Sequence, residues 1–172
     1  MKDLTPAAQR FVLHWGEMGT QWGINRTVAQ IHALLMISPS PLPADVICER
    51  LGVARSNVSN SIRELQGWGI VKVVHLSDDR RDHFESLKDV WAMFRIIAQE
   101  RKKREFDPTM KMLAECLAEA DPKKDRHLTE RLTELHSFFI SITGWYDQLF
   151  ALPSKLLKNA MKLGDALKSL LH

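Results

Sequence analysis

PADVICERLGVARSNVSNSIRELQGWG, residues 43–69, is the stretch whose reading decides the fold. Pro43 suits the first position of a helix, because its missing amide hydrogen would have no partner there, and Asp45 follows with charge favourable to that end. Val46, Ile47 and Leu51 give this helix an inward face. Gly52 stands where a helix end wants a residue free to take positive φ, and Val53 restarts the chain as a buried plug. A second helix is expected from about Ala54. Ala54 has no side-chain oxygen to cap that helix, so Ser56 is an alternative starting point. Val58, Ile62 and Leu65 recur at i, i+4 and i+7 and share one face, flanked by Ser61 and Arg55. The stretch reads as two short helices joined by a tight turn.

The outer face of the second helix carries Ser56, Asn57, Asn60, Arg63 and Glu64. Short polar groups and an arginine can approach base edges and phosphates without apolar bulk in the way. A solvated surface helix shows a polar face too, so this helix does not decide the matter. The next stretch does. Gly67 and Gly69 bracket Trp68 and end the helix, and Ile70 to Leu76 is apolar and β-branched enough for a strand. A charged tip follows from Ser77 to Asp82, with Arg80 and Arg81 in it, and His83 to Leu87 suits a return strand. Helix, turn, helix and a hairpin with a basic tip is the winged-helix order.

ICERLGVARSNVSNSIRELQGWGIVKVVHLSDDRRDHFES resembles the DNA-binding core of the MarR superfamily of bacterial transcriptional regulators. It is most similar to the GbsR branch, whose wing carries a DRRDHFE-like string. The resemblance runs from near Phe11 to about Leu117, specific at the wing and second helix and vague toward the C-terminus. It implies a mainly α fold with a small β-wing: a winged helix-turn-helix domain with N- and C-terminal helices forming a dimerisation region. It also implies a homodimeric regulator, with repression the usual mode, and in some relatives a small-molecule effector such as choline held between the DNA-binding and dimerising parts. A two-fold dimer reads two half-sites about 34 Å apart, so the expected partner is double-stranded DNA with an imperfect palindromic operator. Asn57, Asn60 and Arg63 are the candidates for base edges, Asn suiting adenine and Arg guanine, and Ser56 and Ser59 for phosphates or bases. Arg80 or Arg81 is expected to reach a minor groove, with Asp78, Asp79 and Asp82 orienting those arginines.

The 172-residue chain, 45% hydrophobic, is long enough for a substantial core. Its net charge of +3 is mild. The useful fact is where the charge lies, and Arg55, Arg63, Lys72, Arg80 and Arg81 all fall in the winged-helix stretch. No apolar run of about 18 residues suggests a membrane span, and MKDLTPAAQR lacks the apolar core of a secretion signal, so a cytoplasmic protein is expected. Cys48 and Cys116 each sit among apolar neighbours and read as structural thiols. The seven histidines are scattered without metal-ligand spacing, so no metal or cofactor is assigned. Phosphate-binding glycine loops and nucleophile elbows are absent, and no enzyme activity is expected.

The remaining segments read as helices. Thr5 and Pro6 open the first, in which Phe11, Trp15, Met18 and Trp22 form an apolar stripe and Gly16, Gly19 and Gly23 loosen its end. Thr27 to Ile37 is the second, and the proline-rich stretch 38–43 has room for a short strand. A helix from Asp89 carries Trp91, Phe94, Ile97 and Ala98, then the charged run ERKKRE at 100–105, read as a solvated helix end. Asp107 and Pro108 are expected to interrupt it, with a further helix from Thr109 to Ala120 and a loop at 121–125. Leu128, Leu132, Leu135, Phe139, Ile142, Tyr146 and Leu149 form a heptad seam that needs a partner helix. After Pro153, Leu156, Ala160, Leu163, Leu167 and Leu170 repeat the spacing. The implied domains are 1–23 (N-terminal dimerisation and packing helix), 24–88 (winged helix-turn-helix) and 89–172 (helical dimerisation or sensing region). Trp15, Trp22, Trp91, Phe94 and Trp145 are candidates for lining an effector pocket. The reading from a different class is a winged-helix module that binds protein partners without specific DNA contact.

Overall fold

Thr5 and Asn25 start the two helices on which the winged unit is built. Thr5 Oγ1 accepts from the Ala8 amide, with Pro6 in the first turn, and α1 runs Pro6–Gln21. Asn25 Oδ1 accepts from the Thr27 amide at 2.8 Å, and α2 runs Arg26–Ile37. The computed structural model describes residues 1–153, 155, 156 and 159. Gly16 and Gly19 are buried, and they do not loosen α1. They are where α2 comes closest: a Cβ at Gly19 would stand 2.5 Å from the Ala29 Cβ, and one at Gly16 would stand 2.6 Å from Gln30 Cγ.

Helix α2 is buried from Val28 to Leu35, and the elements of the winged helix gather round it. They are β1 (Leu42–Pro43), α3 (Ala44–Leu51), α4 (Arg55–Gly67), β2 (Val71–Leu76) and β3 (Asp79–Ser86). The strands form one antiparallel sheet in the order β1-β3-β2, with Leu42 opposite Phe84 and Val73 opposite Phe84 on the other side. Ile31, Leu34 and Leu35 of α2, Ile47 of α3, Val58 and Leu65 of α4, and Ile70 are all essentially inaccessible. Each such side chain is worth roughly 1.5–3 kcal/mol of transfer free energy. That shared core fixes the angle at which α4 is presented.

The local signals act with two adjustments. Gly52 ends α3 at φ 67°, and its amide and that of Val53 both reach the Cys48 carbonyl. Pro43 is not the first helical residue. It is the extended N-cap of α3 and the last residue of β1, a place that also costs no amide hydrogen. Helix α4 starts at Arg55 behind an Ala54 cap that offers no side-chain bond, so Ser56 does not delay it. Packing of Val58 and Ile62 compensates for the missing cap.

Two compact units divide the chain, Met1–Ile96 and the part from Ile97 onward. Helix α5 (Val90–Glu119) continues without a break through Pro108, contrary to the interruption expected there. Proline removes one ladder bond and crowds the preceding turn, and the Thr109 hydroxyl donates to the Glu105 carbonyl at 2.9 Å on that turn. The charged run is therefore helix interior and not a helix end. Its cations meet carboxylates: Arg101 with Glu105, Lys103 with Glu100, and Lys102 with Asp107 and Asp147. Helix α6 (Arg126–Ala151) is capped by Asp125, whose carboxylate accepts from the Leu128 amide. Phe106 and Phe139 meet edge to face at 5.9 Å. On the heptad seam Leu132, Phe139, Ile142, Tyr146 and Leu149 are half-buried, and Leu128 and Leu135 are exposed. The repeat at Ala160, Leu163, Leu167 and Leu170 lies outside the described residues. Among those described, no helix is long and apolar enough to cross a membrane.

His32 is buried in this scaffold beside the Trp15 ring, and its Nε2 has no hydrogen-bond partner among the described residues. Burial lowers its pKa from 6.5 to about 4. The unfolded chain then takes up a proton between these values and the folded chain does not, so stability falls as pH drops from about 6.5 to about 4, by roughly 3 kcal/mol in all. Denaturation at stepped pH should show this slope, and His32→Leu should flatten it. Gly19→Ala should cost about 1–3 kcal/mol, because the clash is with a methyl group fixed to the α2 backbone. Gly16→Ala should cost less, since the end of Gln30 can move. Thermal unfolding of the two variants checks the order.

Candidate nucleic-acid interface

The residues singled out on α4 lie on its outer surface, arranged toward two hollows. Val58, Ile62 and Leu65 are buried and turn the opposite side of the helix outward. Arg55, Ser59 and Arg63, four residues apart, line a groove of about 480 Å³ together with Arg81 and Asp82 of the wing and Asp45 of α3. Asn57 and Asn60 line a smaller hollow of about 210 Å³ with Glu64, Ser61 and the first turn of α2. Ser56 is exposed on the same helix. Arg63 donates to Asn60 Oδ1 at 3.1 Å, so a cation and an amide already share one orientation across the exposed ridge.

The wing is stiffened by charge. Lys72 and Glu85 face each other across β2 and β3 at 3.4 Å, and Lys88 adds a second cation to Glu85. Asp79 accepts from the Arg81 side chain through Nε at 3.0 Å and Nη2 at 2.6 Å, and from the Arg81 amide at 3.0 Å. The Arg81 hydrogen bonds hold the Asp79 carboxyl down, from 3.8 to about 2, and Asp79 in turn raises the Arg81 guanidinium. Beneath them His83 is buried. Its Nδ1 donates to the Arg81 carbonyl at 2.9 Å, the only direction a carbonyl allows, and Nε2 lies 3.4 Å from Asp79.

Of the three aspartates expected to orient the arginines, Asp79 does so. Asp82 faces His75 instead at 3.7 Å, because successive residues of a strand point to opposite faces and Asp82 follows Arg81 directly. Asp78 is exposed, with no ion pair among the described residues, and Arg80 likewise stands exposed at the tip. The groove also contains residues that the sequence did not single out for it. Asp45 was legible as a helix-start charge, but its place opposite the wing depends on tertiary packing, as does that of Gln66. Of the aromatic candidates, Trp15, Trp22, Trp91 and Phe94 fall in the first unit and Trp145 in the second. Trp15 is half-buried between Phe11 and His32, Trp22 is the exposed C-cap of α1, Trp91 is half-buried in the first turn of α5, and Phe94 is exposed. Trp145 is exposed on α6. None of these five lines the cavities beside the winged helix.

This is a winged helix with part of the polar face of α4 and the wing on one groove. Residues 22–82 match the model of the MarR family. A solved structure described as a transcriptional regulator is 20% identical to the chain, covers 83% of it and 99% of its own length, and superposes with a TM-score of 0.55. At that identity the likeness shows a shared fold alone. NadR in complex with 4-hydroxyphenylacetate (18% identical, 79% of this chain and 95% of that one) superposes less well, at a TM-score of 0.38. A mutant of MepR from S. aureus bound to an oligodeoxyribonucleotide (16%, 76% and 91%) gives 0.36. A comparison with curated protein sequences returns no match.

Because Asp79 ionises at about pH 2 in the fold and 3.8 ordinarily, its contribution to the wing is complete above about pH 4 and disappears as pH falls toward 2. Amide resonances of β3 followed through an acid titration should shift in that window. In Asp79→Asn the shift of the Arg81 amide, which donates to Asp79, should be absent.

Proposed function

We propose that the protein is a dimeric, sequence-specific DNA-binding transcriptional regulator, a repressor of the GbsR-type branch whose operator binding a small ligand modulates. The observation that carries this reading is the groove in which Arg55, Ser59 and Arg63 of α4 stand opposite the wing residue Arg81, with every bulky apolar residue of α4 turned inward. Such a helix can enter a major groove while the wing follows the adjacent backbone. Asn57, Asn60 and Arg63 read base edges, Ser56 and Ser59 take phosphates or bases, Arg55 adds charge at the helix start, and Arg80 or Arg81 enters a minor groove. The DRRDHFE string of β3 supports the GbsR-type branch.

Dimerisation is supported by the second unit. Phe138, Ile140 and Trp145 are exposed along with Leu128 and Leu135, more apolar surface than a lone helix pair keeps in water. A second copy supplies the missing cover and, through its two-fold axis, the second half-site. Ligand control rests on the resemblance to regulators that hold an effector, with Trp15, Trp22, Trp91, Phe94 and Trp145 as the residues to test for it. An effector acts only through its differential affinity for the DNA-competent state.

The deciding experiment titrates the purified chain onto DNA upstream of its own gene and onto an unrelated duplex, at roughly 50 to 200 mM salt. Tight binding to the first, two protomers per site and a steep salt slope are expected. Equal, weak binding to both would favour a winged-helix module that docks on protein. Arg63→Ala should weaken operator binding and relax base preference at one position, costing roughly 1–3 kcal/mol. Arg80→Ala should weaken operator and unrelated DNA alike and lower the salt slope by about one. Unchanged affinity in both variants would remove these residues from the interface.

A further inference from the structure

Arg81 ties two elements together. Its Nε and Nη2 are committed to Asp79 on its own strand, but Nη1 crosses the groove to Asp45 Oδ2 on α3 at 2.6 Å. Asp79 travels with the wing. Asp45 does not, and it stands on the wall of the same groove as Arg55 and Arg63. Both side chains of the Asp45–Arg81 pair are half exposed, at 52% and 53%, and an ion pair so open to water is weak. A phosphodiester oxygen offers a guanidinium the same chemistry as that carboxylate, an anionic acceptor at hydrogen-bond distance. The carboxylate occupies the wing arginine on the side where the duplex would lie.

We propose that Asp45 is an internal substitute for a DNA phosphate, an autoinhibitory contact that holds Arg81 in the free protein and is exchanged for the duplex when the wing engages. The inference rests on the DNA-binding reading above. It gives Asp45 a function besides its charge at the start of α3. Exchange of one anion for another costs every duplex the same, so the contact lowers affinity for operator and non-operator DNA together and sets how much protein is needed to occupy a site.

The test uses the full chain with the operator and an unrelated duplex. Asp45→Asn keeps the size of the side chain and should tighten binding to both by about two- to fivefold, the range that an exposed ion pair can supply. Asp82→Asn removes a negative charge from the same groove but from a residue that faces His75, and it should give a smaller gain. In an Arg81→Ala background the Asp45→Asn gain should vanish, since the two substitutions act on one contact. An equal gain from Asp82→Asn, or a gain that survives without Arg81, would reduce the effect to general electrostatics and overturn the proposal. Weaker binding by Asp45→Asn would overturn it too, and make Asp45 a brace for the wing. Failure of the unaltered protein to prefer its operator would count against the DNA-binding reading itself, which separates the two ideas.

Discussion

The structure depends on the close packing of α1 on α2. Two glycines one turn apart on α1, Gly16 and Gly19, let the backbones approach until Ala29 and Gln30 fill the space that side chains would occupy. This contact buries α2 along Val28–Leu35 and turns it into a fixed post. The helix-turn-helix and the sheet are both too small to form a core of their own. They become rigid by sharing Ile31, Leu34 and Leu35 with Ile47, Leu65 and Ile70. Rigidity at the post is what a recognition helix needs, because a base contact is lost with small errors of placement.

The polar face of α4 and the wing differ in chemistry. The exposed residues of α4 are short and polar, suited to hydrogen-bonded readout. The wing is held by ion pairs that water and salt can reach, and its Arg81 lies between two carboxylates of the protein, Asp79 and Asp45. A tight fixed pair, Asp79 with Arg81, and a weak one across the groove, Asp45 with Arg81, divide the work of orienting the guanidinium and of keeping it occupied. Buried His83 underlies the first pair and joins it to the sheet.

The second unit is governed by a different balance. Its helices are long, amphipathic and laced with ion pairs between neighbouring turns, and such pairs add little each. Its apolar residues are mostly half-buried or exposed. The described apolar residues of that unit are held less by burial than those of the first, so the two units answer to different balances of interaction.

The winged-helix order was legible in the amino-acid sequence because its signals are local. Gly52 requires the left-handed turn, Val58, Ile62 and Leu65 repeat on one face, and the β-branched run after Trp68 can only pair as a strand. The candidate face of α4 followed from the same periodicity, since whatever is not inward is outward. What local rules could not reach was contact between distant positions. The glycines of α1 read as weak points until α2 was laid against them, and Pro108 read as a break although α5 runs through it. Asp45 and Arg81, 36 positions apart, meet only because the shared core sets α3 beside β3. Sequence determined which segments form helices and strands and which faces they bury, through propensity and period. Tertiary structure alone decided which charges oppose one another across the groove, because an ion pair has no period in the chain and depends on where packing leaves the backbone.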